Sequence, residues 1–432
     1  MRFLYSLILI IALPFVLLRW LWRSRYVKGY RQRLSERFGF IPAIPQQTKT
    51  IWLHAVSVGE TIAATPLINA LLQRYPQYEL IITTTTPTAS AQVTKDFHDK
   101  VKHYYLPYDM PSAVKRFLRR THPTLAIIME TELWPNLLYY THHNGISILL
   151  ANARLSERSL QGYQRISKLT QQMLSQITCV AAQSKADGER FMQLGLDPTK
   201  LLMAGNIKFD LLLPSSLLQE GQALRAAWGA RPTLIAASTH ETEESIILDA
   251  FAQIRQQYAD AFLILVPRHP DRFAKVARLC QSANYRIAKR SLKEIPTADT
   301  DILLGDTMGE LRLLYAASDI AFVGGSFVTV GGHNLIEPAA LHLPILSGNH
   351  LHNFVAISKL LTDANALIVV NDANHLATQI LQLLADKTQR DAMGERAYQV
   401  SADNTGALER HLQWINKELK NEIHGNQPIW QQ

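Results

Sequence analysis

Cysteine is nearly absent from this sequence. Cys179 and Cys280 are the only two in 432 residues, so there is neither a disulfide framework nor the ligand spacing of a zinc site. A reducing compartment is the expectation. Three familiar signatures are missing as well: G-x-x-x-x-G-K-[ST], G-x-G-x-x-G and G-x-S-x-G do not occur, which argues against a P-loop ATPase, a dinucleotide dehydrogenase and an α/β-hydrolase. No solenoid period or low-complexity tract is visible. Net charge is also scarce beyond the first 40 residues. There, Arg2, Arg19, Arg23, Arg25, Lys28, Arg31, Arg33 and Arg37 stand against Glu36 alone and hold seven of the eight net positive charges. The remainder is close to neutral, so no nucleic-acid partner is expected. What is present, 47% hydrophobic and 19% charged residues, is the composition of a globular chain with sizeable cores, long enough for two or three domains.

Only one long apolar run occurs, from Phe3 to Leu18. As a helix it reaches about 24 Å, and roughly 30 Å if Trp20 and Trp22 sit at the interface, enough to span or embed in a bilayer. Its basic cluster follows the apolar run and no small-x-small cleavage site appears, which favours a retained anchor over a signal peptide. The positive-inside rule then places residues 19–432 in the cytoplasm, with residues 1–40 as a membrane anchor and basic juxtamembrane segment that attracts anionic headgroups.

From Pro42 onward, short β-branched runs alternate with amphipathic stretches. Strands are expected at 51–56, 79–85, 101–106, 125–130, 146–151 and 178–182, and again at 233–237, 261–266, 301–304, 319–323 and 343–347. This alternation predicts an α/β chain with two doubly wound parallel sheets: a first domain over 41–205, a linker over 206–230 and a second domain over 231–432. In such sheets ligands bind outside the carboxyl ends of the strands.

At those ends the residues are informative. Ser57-Val58-Gly59-Glu60 follows the first strand: Gly59 is expected to make a tight turn and Glu60 to lie in the first helical turn. There it either complements the helix dipole or accepts a proton from a substrate hydroxyl. Glu130 and Glu132, beside Trp134, either bind sugar hydroxyls or start the next helix. Arg154 and Arg158 either hold acceptor phosphates or belong to a solvated helix start. In the second domain three successive loops carry anion-binding features: Arg268 and His269; Gly305 through Leu311; and Gly324 through Glu337. An arginine fork and glycine-exposed N–H groups suit a phosphate, and Glu337 suits ribose hydroxyls. Ser238 and Glu241 have capping-box spacing. Asp299 and Asp301 imitate a D-x-D metal site but abut a strand, and no metal is assigned.

Taken together, Glu36-Arg37-Phe38-Gly39, HAVSVGE ending at Glu60, ETELWPN at 130–136, NARLSERS at 152–159, GNIKFD at 205–210, PRHPDRF at 267–273, GDTMGEL at 305–311 and GGHNLIEPAA at 331–340 resemble the bacterial 3-deoxy-D-manno-octulosonic acid (Kdo) transferases of lipopolysaccharide synthesis. The resemblance runs from the N-terminus to about residue 400, in family order. It implies a GT-B fold of two Rossmann-like domains, a CMP-Kdo donor bound to the second domain, and a tetraacyldisaccharide 4′-phosphate lipid A precursor as acceptor on the first. It also implies inner-membrane attachment and inverting chemistry with neither metal nor cofactor. Carried over by position, Glu60 matches the general base. Arg268 and His269 match the CMP-contacting pair, Gly309, Glu310 and Leu311 a second nucleotide segment, and Asn334, Leu335, Ile336 and Glu337 a third. Another sugar-nucleotide enzyme of hexosamine transferase or 2-epimerase type would share the glycine-rich loop and Glu337 but neither the anchor nor ETELWPN. A membrane-tethered nucleotide-binding module without turnover would not need Glu60. Neither the number of Kdo groups transferred nor the oligomeric state is legible.

Overall fold

The computed structural model of the chain describes residues 1–23, 33–211, 213–214, 216–229 and 231–424. It divides into two compact units, Met1–Asp210 together with Thr405–Gln432, and Leu211–Asn404.

The first unit is built on a seven-stranded parallel sheet. Its strands are β1 (Thr50–His54), β2 (Glu79–Thr84), β3 (Lys102–Tyr105), β4 (Leu125–Met129), β5 (Ser147–Ala153), β6 (Cys179–Ala182) and β7 (Leu201–Met203), in the order β3-β2-β1-β4-β5-β6-β7. Both faces are covered, which is why the strands read as continuous apolar runs. Side chains alternate across the sheet. Ile51 and Leu53 face Ile68 and Leu71 of the helix Val58–Arg74, and Trp52 faces Phe117 and Leu137 of the helices Pro111–Thr121 and Pro135–His143. The indole of Trp52 meets Phe117 edge-on at 5.1 Å and donates Nε1–H to Thr83 Oγ1 at 2.8 Å, so its one polar group is satisfied inside the core.

The second unit repeats the plan with β8 (Thr233–Thr239), β9 (Phe262–Pro267), β10 (Ile287–Lys289), β11 (Ile302–Leu304), β12 (Ile320–Val323), β13 (Ile345–Ser347) and β14 (Leu367–Val369), all parallel in the order β10-β11-β9-β8-β12-β13-β14. Leu234 and Ala236 look into one core and Ile235 and Ala237 into the other. Part of the expected linker is structured: the helix Leu217–Ala227 packs on this unit, with Gly221 against Ala316.

The chain past Thr405 departs from the expected second domain. The helix Ala407–His424 lies on the first unit, burying Leu412, Ile415 and Leu419 beside Ile51 and Leu53. Asp210 fixes the return, its carboxylate accepting the backbone N–H groups of Gly406 and Leu408, each at 2.5 Å. His411 Nε2 accepts the N–H of Asn152 at 3.0 Å.

The expected single-pass anchor is not supported. Residues Arg2–Arg23 are a helix interrupted by Pro14, but no helix among the described residues is long and apolar enough to cross a membrane. Arg2 Nη1 donates to Asn136 Oδ1 at 3.0 Å, Asn136 Nδ2 donates to Ser6 Oγ at 2.9 Å, and the Tyr5 hydroxyl bonds to Asp109. Asp109 also accepts the N–H groups of Asn136 and Leu137, and burial pushes its carboxyl up to about 7. These polar groups tie the helix start to the body. Of the basic segment, residues 24–32, with Arg25, Lys28 and Arg31, lie outside the described residues. Arg33 pairs with Glu36 at 2.6 Å, and the buried Arg37 donates to Thr85 O at 2.8 Å, so both serve the fold and not a headgroup surface.

Because Ile415 is fully buried between the returning helix and the first sheet, Ile415→Ala should cost about 2–5 kcal/mol. The urea midpoint of the transition that reports the first unit should fall, while that of the second unit stays in place.

Candidate active site

In the first sheet the strand order reverses between β1 and β4, so the loops that follow them leave in opposite directions and open a crevice at their carboxyl ends. Ser57 caps the helix Val58–Arg74, accepting the N–H of Glu60 at 3.3 Å. Glu60 answers: Oε2 accepts the N–H of Val56 at 2.8 Å and Oε1 accepts the Ser57 hydroxyl at 3.1 Å. This is the reciprocal logic of a capping box, and it holds the carboxylate in one orientation. Gly59 does not make the expected tight turn. It has an ordinary φ, and a Cβ there would meet only Ser57 Oγ at 3.8 Å, so its effect is to leave open space over the first helical turn.

Across the crevice, Glu130 leaves β4 in the left-handed region at φ 54° and pairs with Arg154 at 3.5 Å. Glu132 accepts the Trp134 indole N–H at 2.8 Å. Three carboxylates therefore converge where solvent is thin. Burial raises the proton affinity of Glu60 against the opposing Val56 N–H, and the charge of Glu130 adds to the rise. Glu132 is pushed up to about 7 by burial and then by the charge of Glu60. Tyr163 is pushed up to about 12 by burial, with Glu132 contributing. Arg154 joins this cluster through Glu130. Arg158 is exposed on the helix Glu157–Gln164, and among the described residues it makes none of these contacts.

The second sheet reverses between β8 and β12. Two non-glycine residues in the left-handed region, Ser238 at φ 57° and Thr242 at φ 77°, flank His240 at the end of β8. Such backbone persists only where its surroundings enforce it. The enforcing group is Glu243. Completely buried, it accepts the N–H groups of His240 at 2.8 Å, Gly325 at 2.7 Å, Ser326 at 3.0 Å and Phe327 at 2.9 Å. Its neighbour Glu244 accepts the Thr239 hydroxyl at 2.9 Å and a bidentate fork from Arg272 at 2.5 and 3.1 Å. The expected capping box does not form: Thr242 is the N-cap of the helix Glu243–Gln257, and Glu241 is exposed and paired with Lys275.

This frame presents a histidine cluster. His240 and His333 stack at 5.0 Å with Nε2 to Nε2 at 2.8 Å, and His269 meets His240 edge-on at 5.2 Å. The approach requires Gly325, at φ 68°, where a Cβ would fall 2.8 Å from the His333 ring. Burial depresses the proton affinity of both members of the stacked pair. His333 falls to about 4, with the nearby Arg268 guanidinium adding to the effect of burial. Two neutral rings sharing one proton between their Nε2 atoms leave one ring with its N–H at Nδ1, a donor. Arg268 and His269 are themselves exposed.

The structure thus brings Arg268 and His269 together with His240 and His333. It treats the other expected donor residues differently. Gly309 takes φ 90° in an open loop. Glu310 is held by Arg290 at 2.7 Å and by Thr307, and Arg290 lowers its proton affinity. Leu311 packs partly against the hydrophobic core. Asn334 Oδ1 accepts the N–H of Ile336 at 3.0 Å, Leu335 and Ile336 are buried, and Glu337 pairs with Arg312 at 3.0 Å. Leu335 and Ile336 can therefore offer a ligand only backbone. Asp301 is bonded by Arg255 and Arg286, and Asp299 by Arg286, so this pair is engaged by guanidinium groups. Sequence reasoning passed over His240, Glu243 and His333 as site residues. The available signal was that His240 directly follows a strand expected to lie at the switch point.

The raised Glu132 carboxyl carries a pH signature. A carboxyl that binds its proton more tightly in the folded state contributes stability at low pH that is lost as pH rises. The window here runs from 4.5 to about 7. Glu132→Gln keeps an acceptor for Trp134 and removes the ionisation, so it should gain stability relative to the parent across that window. Urea midpoints measured from pH 4 to 8 should show the gap opening and then levelling; parallel curves would refute it.

The chain matches known proteins over most of its length. Residues 32–211 match the family model described as 3-deoxy-D-manno-octulosonic-acid transferase (Kdo transferase), and residues 235–400 match that of glycosyl transferases group 1. The 3-deoxy-D-manno-octulosonic acid transferase of Haemophilus influenzae is 43% identical over 98% of this chain and 100% of its own length. That of Bordetella pertussis is 37% identical over 95% and 98%. In fold, the chain is similar to a putative UDP-N-acetylglucosamine 2-epimerase from Listeria monocytogenes, with a TM-score of 0.54 and 16% identity over 88% of this chain and 98% of that one. The two seven-stranded parallel sheets are those of a GT-B-like fold, and the chain belongs to the 3-deoxy-D-manno-octulosonic acid transferases, a family of glycosyltransferases.

Proposed function

We propose that this Kdo transferase acts in lipopolysaccharide synthesis, moving Kdo from CMP-Kdo to a tetraacyldisaccharide 4′-phosphate lipid A precursor with inversion at the anomeric carbon. The observation that carries the reading is Glu60, oriented by Val56 and Ser57 at the switch point of the first sheet, with its proton affinity raised beside Glu130. A carboxylate raised in this way is a stronger base than one in water. Glu60 takes the proton of the acceptor hydroxyl as that oxygen bonds to the anomeric carbon, and the bond from this carbon to the phosphate oxygen breaks to release CMP. Glu130, Glu132 and Arg154 bind the acceptor; Arg158 is the outermost member of that set.

The donor belongs to the second unit. Arg268 grips the phosphate with its planar fork, and His269, with the N–H that the stacked histidines leave at Nδ1, adds donors to the leaving group. Gly309 to Leu311 and Asn334 to Glu337 line the nucleoside, through backbone N–H groups where the side chains are buried. Lipid substrate is met at the surface of the inner membrane on its cytoplasmic side. Supporting this, the helix Arg2–Arg23 exposes Phe3, Leu4, Leu7, Ile8, Ile11, Phe15 and Leu18, an apolar surface suited to lying within the interface instead of crossing it.

Incubation with CMP-Kdo and the tetraacylated acceptor, followed by mass spectrometry, tests the reaction and counts the sugars added. Glu60→Gln preserves shape and the Val56 contact but cannot accept the proton. Its kcat should fall by roughly two to four powers of ten with CMP binding little changed. If Glu60 only completes a helix cap, turnover stays near normal and a stability loss of about 0.3–1 kcal/mol is seen instead. Arg268→Ala should raise the KM for CMP-Kdo by about ten-fold or more, the cost of a charge-assisted contact. Lysine at this position should restore only part of it, and a raised lipid KM with unchanged donor KM would move the phosphate site elsewhere.

A further inference from the structure

A feature of the first unit that the proposed reaction does not use is a cavity of about 760 Å³ on the sheet face opposite the helix that carries Glu60. It lies along the helices Pro111–Thr121 and Pro135–His143 and is closed at one end by the start of the helix Arg2–Arg23. Arg2, Lys115, Arg116 and Arg119 line it and no carboxylate does. Among the described residues, Lys115, Arg116 and Arg119 have no ion-pair partner, and Arg2 has only the longer-range attraction of the buried Asp109. Arg119 lies one turn from both Lys115 (i, i+4) and Arg116 (i, i+3) on the helix Pro111–Thr121, spacings at which like charges repel; the helix bears that repulsion unless an anion relieves it.

The cations are also held in place. The Arg2 guanidinium lies 3.5 Å over the Tyr139 ring and uses Nη1 on Asn136, leaving its other N–H groups available. Lys115 stands 4.8 Å over the Tyr140 ring, and Arg116 Nη1 is fixed on Phe38 O at 2.5 Å. Cation–π and carbonyl contacts such as these orient a cation without neutralising it. From the Arg2 end, the exposed apolar residues Phe3, Leu4, Leu7 and Ile8 lead away along the N-terminal helix. A basic cavity with no carboxylate in its lining, continuous with an apolar track, matches an amphiphile with a phosphate head.

We propose that this cavity binds the phosphate headgroup of a membrane lipid, whose acyl chains run along the helix Arg2–Arg23. It is a site separate from the catalytic carboxylates. Its lipid half rests on the helix lying in the membrane surface; its phosphate half does not.

Co-sedimentation of the full chain with vesicles tests it. Phosphatidylcholine vesicles report the apolar helix alone, and phosphatidylcholine vesicles containing phosphatidic acid add the headgroup. The parent should bind the second kind more tightly. Lys115→Ala/Arg119→Ala should lose that increment, by about ten-fold or more, while binding to phosphatidylcholine alone is unchanged. Lys168→Ala, an exposed cation elsewhere on the same unit, should keep it, and melting curves of the variants should match the parent's. An increment retained by the double variant, or lost equally in Lys168→Ala, overturns the proposal by showing diffuse charge attraction. Calorimetric titration with inorganic pyrophosphate separates the sources. Competition between pyrophosphate and phosphatidic acid vesicles supports the headgroup site. Pyrophosphate binding that the double variant abolishes, with no phosphatidic acid increment in the parent, overturns the lipid assignment in favour of a soluble phosphate compound.

Discussion

A carboxylate removed from water must find hydrogen-bond donors within the protein, and the second unit is organised around one that does. Glu243 gathers four backbone N–H groups from two separate loops. Around that anion the rest falls into place: Ser238 and Thr242 accept left-handed backbone, the glycine-rich segment after β12 wraps inward, and Gly325 brings His333 against His240. The same buried geometry lowers the proton affinity of the stacked imidazoles, so they stand as hydrogen-bonding groups beside the exposed guanidinium of Arg268. The first unit solves the opposite problem. There three carboxylates are brought together, and burial together with their mutual repulsion raises the proton affinity of Glu60 and Glu132.

Much of the architecture was legible because parallel sheets covered on both faces need unbroken apolar strands. Eleven strands were expected and each has a counterpart at or near its place. The three that escaped notice are β7, β10 and β14, all three-residue strands at sheet edges. An edge strand has one neighbour and is often short, and the apolar run Leu201, Leu202 and Met203 is only three residues, too brief to read as a strand. The fate of the chain after Thr405 was also hidden. An amphipathic helix advertises an apolar stripe but not which sheet will receive it.

At the site, residues next to strand ends were legible and residues that work through backbone were not. Glu60 stands in a short motif whose capping geometry can be anticipated. Glu243 looks like any acidic residue in a first helical turn; its role depends on loops more than 80 residues away. The Ser238 and Glu241 spacing suggested a cap one step too early, because β8 continues through Thr239 and Thr242 takes the cap. The contacts of the N-terminal helix were hidden for a related reason. Counting apolar residues weighs Tyr5 and Ser6 lightly, yet those side chains, with Arg2, join its first turn to Asp109 and Asn136.

The returning helix Ala407–His424 has a consequence for synthesis. The first unit owns the beginning and the end of the described chain, with the whole of the second unit between them. On the ribosome its sheet is made early, but the helix that covers Ile51 and Leu53 with Leu412, Ile415 and Leu419 emerges only after some 190 intervening residues, Leu211–Asn404. Vectorial folding therefore inverts the order of the sequence. The second unit can complete its core as it leaves the tunnel, while the first waits with an apolar face bare to solvent, the kind of surface to which chaperones bind.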